Sequence, residues 1–384
     1  MKFAHMGDCH LGGWSSHPEL KELNFKSFRL AIDKCIKEKV ELVLITGDLF
    51  DAPYPPIETL KDTFHEFKRL KESEIPVFLI AGSHDYSVSG KTFLDVLEKA
   101  GFCKNASLYE EKNGIIFLQP VIYRNFAIYG FPGKKSGLEV DDIERLKLQD
   151  SPGLFRILML HTAIRDALNN PQIKAVNEKM LPKVDYLALS HLHINYAREN
   201  RVYSGPIFPN NLSELEELQE GSFYIFDNGK IKREAIKINP IVILNIEINN
   251  SFNATDDIIN RMSNLNLKDS IFILKIKGVL EQGKLSDINF LKITSEAKKS
   301  NVFIFLKTTS QLLISESEIN IDSIDAVNLE NQIIEKFEES HPGKFNYLIH
   351  PLIKVLQTQK NEDEKISVFE ERVLSEGKKV LQIS

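Results

Sequence analysis

Only three of the 384 residues are cysteine, and Cys9, Cys35 and Cys103 form no metal-spaced pair. An odd, scattered set of thiols argues against a disulfide framework and against a cysteine-ligated zinc site. It reads instead as reduced, partly buried side chains in a cytoplasmic protein. No apolar stretch approaches the ~18 residues of a membrane span, so no membrane association is expected. The N-terminus, Met1-Lys2-Phe3-Ala4-His5, has no signal-peptide apolar core and runs straight into a strand. Positive charge is not in excess: 48 Lys and Arg against 54 Asp and Glu leave a net charge of −6. That balance argues against broad passive adsorption to nucleic acid, while local basic patches stay open.

What remains is a chain 42% hydrophobic and 27% charged, long enough for two or three domains. Residues 1–235 alternate strand and helix signals. Strands are expected at Phe3–Met6, Val40–Thr46, Pro76–Ala81, Arg156–Leu160 and Tyr186–Leu189, and helices at 25–38, 58–72 and 92–100. Asn228-Gly229 between two apolar runs predicts a hairpin. The expected fold class is α/β, with two packed β-sheets flanked by helices over residues 1–238. Pro240 opens a β-α-β-α-β module over 240–320. An acidic, polar linker is expected over 311–330. Residues 328–384 have helical periodicity but form a weak core by themselves, so a partner that completes it is expected.

The chemistry lies in short motifs that each follow an apolar run: Asp8-Cys9-His10, Gly47-Asp48, Gly82-Ser83-His84-Asp85, His161 and His191-Leu192-His193. Oxygen and imidazole ligands from separate strand ends can converge above a sheet. On a strand, Asp8 and His10 would point to the same side. Asp48, after a glycine that lets the backbone turn sharply, can bridge two cations. Histidine with carboxylate suits Mn²⁺, Fe or Zn²⁺ better than Mg²⁺ or Ca²⁺. Two such ions clamp the attacking and leaving oxygens of a phosphate displacement and activate water.

These motifs resemble the pattern D-x-H, G-D, G-N-H-D/E, H, G-H-x-H of the calcineurin-like metallophosphoesterases. The GDLFD loop with Pro53, Pro55 and Pro56, and Tyr203-Ser204-Gly205-Pro206, look like those of DNA-repair nucleases. Over its whole length the chain is similar to the archaeal nuclease subunit of the double-strand-break repair complex, the meiotic-recombination-eleven family, called SbcD in bacteria. The resemblance implies a four-layer metallophosphoesterase fold with a small α/β capping domain and a C-terminal helical tail. It implies two Mn²⁺ per subunit, one held by Asp8, His10, Asp48 and His193, the other by Asp48, Ser83, His161 and His191. His84 would serve the scissile phosphate and Asp85 would orient its imidazole. The implied activity is 3′→5′ exonuclease and endonuclease action on DNA ends. The implied partners are DNA, a coiled-coil ABC-type ATPase docked on 328–384, and a second copy of the chain, with 58–72 and 92–100 as interface candidates. Two positions depart from the family pattern: Ser83 stands where the family has Asn, and Asp51 where many members have His.

A phosphatase or small-molecule phosphodiesterase on the same metal site is the alternative, and a scaffold without catalysis the third reading. Trp14 and Tyr86 could stack on bases or pack. His5 reads as packed behind the site, and His17 as a loop residue within reach of substrate. His65, His341 and His350 read as surface or core residues. Lys134 and Lys135 could contact phosphates but read first as a solvated turn.

Overall fold

The computed structural model describes residues 1–86, 92–134, 137–168, 170, 172–314 and, beyond those, stretches of 334–383. The chain begins β1 (Lys2–Met6), α1 (Pro18–Lys37), β2 (Val43–Ile45), α2 (Ile57–Glu72), β3 (Val77–Leu79), α3 (Leu94–Lys99) and β4 (Lys104–Asn105). It continues through β5 (Tyr109–Lys112), β6 (Ile115–Leu118), β7 (Val121–Tyr123), β8 (Phe126–Phe131), α4 (Glu139–Ile143) and β9 (Leu146–Leu148). Next come β10 (Phe155–His161), β11 (Tyr186–Ser190), β12 (Tyr196–Arg198), β13 (Arg201–Tyr203), α5 (Leu212–Leu218), β14 (Gly221–Asp227) and β15 (Lys230–Ile236). A last group is β16 (Ile241–Glu247), α6 (Ser251–Met262), β17 (Ile271–Leu280), α7 (Phe290–Lys299) and β18 (Ile304–Ile314).

Two six-stranded sheets result, ordered β15-β14-β1-β2-β3-β4 and β12-β13-β11-β10-β8-β7. The centre of each is parallel: β1, β2, β3 and β4 in the first, and β8, β10, β11 and β13 in the second. Parallel central strands are buried on both faces, which is why these segments read as continuous apolar runs. Period-two alternation sorts each strand between layers. Phe3, Leu44 and Phe78 face the second sheet, meeting Phe126, Ile157, Met159 and Tyr186. Ala4, Met6, Val43, Ile45, Val77 and Leu79 face Phe28, Ile32, Phe67 and Leu97 of α1–α3. The outer face of the second sheet is covered by α4 and the small sheet β5-β6-β9 rather than by long helices. Four layers follow: helices, sheet, sheet, and this mixed layer. The Asn228-Gly229 turn joins β14 to β15 with both residues at positive φ, the geometry of a tight hairpin.

The strands β16, β17 and β18 form a separate all-parallel sheet. Phe272, Leu274 and Ile276 pack under α6 and α7. Ile271 and Ile273 point the other way and meet Leu20, Leu23, Phe208 and Leu215. The expected linker over 311–330 is corrected at its start: β18 runs on to Ile314, pairing with β17 as far as Leu280 beyond a register shift between Lys275 and Lys277. Residues 315–333, and with them most of the expected linker, lie outside the described residues, as do Lys135 and His341. The tail shows helices Ile349–Leu356 and Ile366–Leu381. α1 starts seven residues earlier than periodicity predicted, because Pro18 occupies its first turn and is pre-set for helix there. Among the described residues, no helix is long and apolar enough to cross a membrane.

Phe3 is fully buried, stacks on Phe226 with ring centroids 4.8 Å apart and meets Tyr186 edge-on at 5.0 Å. Phe3→Ala is expected to destabilise the protein by about 3–5 kcal/mol. Denaturant unfolding of the metal-free protein measures this directly; a loss below ~1 kcal/mol would mean that the two sheets do not depend on this ring.

Candidate metal centre

Each motif lies at or just beyond the C-terminal end of a parallel strand, on the same edge of the two sheets; His161 is itself the last residue of β10. β1 ends at Met6, so Asp8 and His10 are not strand residues. Their expected alternation along a strand is therefore corrected. Both adopt positive φ (48° and 43°), and it is this left-handed turn that brings them to one side while Cys9 is buried on the other. Asp48 (φ 50°) and His191 (φ 97°) share the same unusual backbone. Backbone bonds lock the two loops together: Asp8 N–H donates to Gly47 O at 3.1 Å and His10 N–H to Asp48 O at 2.9 Å. Gly82 cannot be any other residue here, because a Cβ would collide with the Asp48 carboxylate and backbone.

Three overlapping groups emerge: Asp8, His10 and His193; Asp8, Asp48 and His161; and His10, Asp48 and His84. Asp8, His10, Asp48 and His161 are buried, and His84 stands exposed at the rim. Asp48 lies at the centre. Its Oδ2 is 3.2 Å from His161 Nε2 and 3.7 Å from His10 Nε2, and its Oδ1 accepts the His84 backbone N–H at 2.8 Å. His191 sits beside these groups rather than in them. Its backbone N–H donates to both Asp8 oxygens, and its ring lies 5.1 Å from that of His161. Ser83 reaches the centre through its hydroxyl, which donates to Asp48 Oδ2 at 3.3 Å.

Asp85 does something other than expected. It is buried, and its two oxygens accept the backbone N–H groups of Phe50 (3.1 Å) and Gly82 (2.9 Å). It thus ties the Asp48 loop to the Gly82 loop. The His84 imidazole is oriented instead by the Asp51 carbonyl, which accepts Nδ1–H at 2.8 Å. Burial and the neighbouring Asp48 charge push Asp85 up to about 7. Sequence reasoning missed Glu214, whose Oε1 accepts from His193 Nδ1 at 2.8 Å. The signal was present: Asn211 caps α5 by accepting the Glu214 N–H, and Glu214 reaches back to the Asn210 N–H, a variant of the capping box. It also missed Thr46 and Ser190, which hold His161 Nδ1 at 3.0 and 2.9 Å. His5 is fully buried between Tyr186 and Thr46, and burial lowers it to about 3, so it is neutral packing behind the site. Trp14 packs against the third sheet and donates to Pro209 O at 2.8 Å, Tyr86 packs on the α1–α3 core, and Lys134 is paired with Asp142.

The donor set fits divalent cations. His161 Nε2 is buried without a hydrogen-bond partner and faces Asp48. His10 Nε2 and His193 Nε2 face each other at 3.2 Å. Two nitrogens each about 2.1 Å from one ion at roughly a right angle stand about 3 Å apart. Without an ion, protons fill the role. Burial works to lower His161, but the Asp48 and Asp8 carboxylates outweigh it and raise it to about 9. Burial likewise opposes, and Asp8 and Glu214 overcome it, at His193, also raised to about 9. Asp48 is held far below the usual carboxylate range: burial opposes this, and the His161 and His10 charges decide it.

Residues 1–195 match the family model described as calcineurin-like phosphoesterase. The chain belongs to the calcineurin-like phosphoesterases. It is a metal-dependent phosphoesterase in class. This phosphoesterase is similar to the DNA double-strand break repair protein Mre11 of Methanocaldococcus jannaschii, with 28% identity over 287 residues covering 69% of this chain and 74% of that one. It is 33% identical to the Mre11 of Sulfolobus acidocaldarius over 200 residues, spanning 50% of each chain. With the Mre11 of Archaeoglobus fulgidus it shares 22% identity over an alignment 405 positions long, gaps included, covering 98% of this chain and 85% of that one.

The raised imidazoles set a pH dependence. Below the ordinary value of 6.5, the His161 and His193 charge pairs contribute fully to the stability of the metal-free protein, and they are lost as pH rises through about 9. A cation needs those imidazoles neutral, so its affinity moves in the opposite sense. Mn²⁺ binding is expected to strengthen at least tenfold between pH 6 and 8 and to release protons. Calorimetry in buffers of differing ionisation enthalpy reads both; pH-independent binding would show that these imidazoles hold no protons to displace.

Proposed function

We propose that the chain is a Mn²⁺-dependent DNA nuclease, acting as 3′→5′ exonuclease and endonuclease on DNA ends in double-strand-break repair. The observation that carries this reading over that of a phosphatase is the extent of the similarity to Mre11 proteins. It runs past the phosphoesterase core through the third sheet and into the tail. A small-molecule phosphodiesterase has no use for those additions.

In this reading Asp8, His10, Asp48 and His193 hold one ion, and Asp48, Ser83, His161 and His191 the other, with Asp48 shared. When bound, the pair neutralises phosphate charge and activates water near neutral pH. The rest falls to side chains. The Asp51 carbonyl holds His84 Nδ1–H, which leaves Nε2 to face the phosphate; as imidazolium the ring would pass its Nε2 proton to the leaving 3′ oxygen and keep the Nδ1 proton. Asp85 fixes the loop that carries both Gly82 and His84. The module of β16–β18, which packs against Leu20 and Leu23 of α1, Phe208, and Leu215 of α5, would guide strands towards the site. The helices Ile349–Leu356 and Ile366–Leu381 would dock the ABC-type ATPase; Leu356, Val368, Leu374 and Leu381 are exposed there. A homodimer would use α2 and α3, where Ile57 and Val96 are exposed. A cytoplasmic location accords with these partners.

Linear and single-stranded DNA assayed against nitrophenyl phosphates, each with Mn²⁺, tests the reading; activity confined to the small esters would reject it. His84→Ala is expected to lower cleavage by about 10²–10⁴-fold while Mn²⁺ still binds. Asp48→Ala is expected to lose both binding and cleavage. Normal cutting by His84→Ala would remove that residue from the proton-transfer role.

A further inference from the structure

The two histidines that face each other across the first ion site are each anchored from behind by a carboxylate. His10 Nδ1 lies 3.2 Å from Asp51 Oδ1, and His193 Nδ1 lies 2.8 Å from Glu214 Oε1. A ring whose Nδ1–H is held by a carboxylate presents only Nε2, and presents it as a stronger donor to a metal. The anchors are themselves held. Glu214 caps its own helix and accepts the Asn210 N–H at 2.8 Å, while the backbone of Asp51 is fixed between Leu11 O, which accepts its N–H, and the His84 ring. Asp51 stands where the family resemblance leads one to expect a histidine turned to the phosphate. Its negative charge is instead directed at His10.

The other ligand group lacks this support. His161 Nδ1 hydrogen-bonds a neutral carbonyl, that of Thr46, and a hydroxyl, that of Ser190, while the Asp8 carboxylate comes no nearer than 3.9 Å. Ser83 offers a hydroxyl that is already donated to Asp48. The two ion sites share Asp48 but differ in the charge behind their imidazoles.

We propose that Asp51 and Glu214 are positioning residues whose carboxylates lock His10 and His193, making the Asp8–His10–Asp48–His193 site the tighter of two unequal Mn²⁺ sites. This rests on the two-ion reading above but not on DNA being the substrate. The test uses the full chain stripped of metal and titrated with Mn²⁺, following free Mn²⁺ by its paramagnetic resonance signal and binding by calorimetry. The wild type should show two classes of site. Asp51→Asn and Glu214→Gln should each weaken the tighter class by about 10–100-fold and leave the weaker class within twofold of wild type. Thermal unfolding of the metal-free variants reports folding independently. The Asp51 side chain is 41% exposed, so its replacement leaves the core intact should Glu214→Gln fail to fold. Equal sites in the wild type, a change below fivefold at the tighter site, or equal weakening of both classes overturns the proposal. Wild-type protein that binds two Mn²⁺ unequally and cuts no DNA rejects the nuclease reading alone.

Discussion

Asp48 stands between His10 and His161, and much of the surrounding backbone is shaped by that placement. Its carboxylate has to emerge at the end of β2, turn back over the sheet edge and stand between His10 and His161. The chain achieves this with Gly47 at φ 101° and Asp48 itself at φ 50°. Asp8, His10 and His191 make the same left-handed departure at the ends of their own strands. Such conformations cost on the order of 1–3 kcal/mol each for residues with a Cβ. They persist because the flanking strands are among the most deeply buried in the molecule, and because interloop bonds such as His10 N–H to Asp48 O leave the turns no alternative. At these positions the strain falls on the residues whose side chains gather at the centre, and the two sheet cores offset it.

Electrostatics imposes a second demand on the same space. Asp8, Asp48 and Asp85 are all buried within one loop cluster, and unpaired buried carboxylates are costly. The three are treated differently. Asp48 keeps its charge by pairing with imidazolium groups, whereas Asp85, desolvated by burial and facing the Asp48 charge, is pushed up to about 7 even though two backbone N–H groups oppose the rise. The cluster is therefore balanced by protons on His161 and His193 until cations replace them. In the two-ion reading, metal uptake would exchange one set of positive charges for another.

Much of this was legible in the amino-acid order. The apolar runs ahead of Asp8, Asp48, Ser83, His161 and His191 are parallel strands, and parallel strands in one sheet deliver their C-terminal ends to one edge. Asn228-Gly229 was equally readable, since turn chemistry is local. What escaped was relational. Asp8 and His10 gather by a left-handed turn rather than by strand alternation, and nothing in Asp-Cys-His distinguishes the two. Asp85 adjoins His84 in sequence but bonds to the backbone of Phe50 and Gly82, because the loop folds its carboxylate inward. Glu214 lies 21 residues from the histidine it holds; its capping role could be read, but its second bond depends on where α5 lands.

That landing place is decided by the third sheet as well as by the first two. Leu215 on α5 packs with Ile271, Ile273 and Leu306, together with Leu20 and Leu23 of α1. Glu216, two residues beyond Glu214, reaches the other way to Lys275 of β17 at 2.6 Å. Trp14, four residues after His10, closes the same seam through Pro209. The segments that hold His10 and His193 are thus continuous with the surface on which the third sheet rests. An ion pair such as Glu216–Lys275, largely shielded and reinforced by an apolar seam, fixes a direction more than it adds stability. Seating of the third sheet and alignment of the two facing imidazoles consequently depend on one short helix, and a rotation of α5 cannot alter one without altering the other.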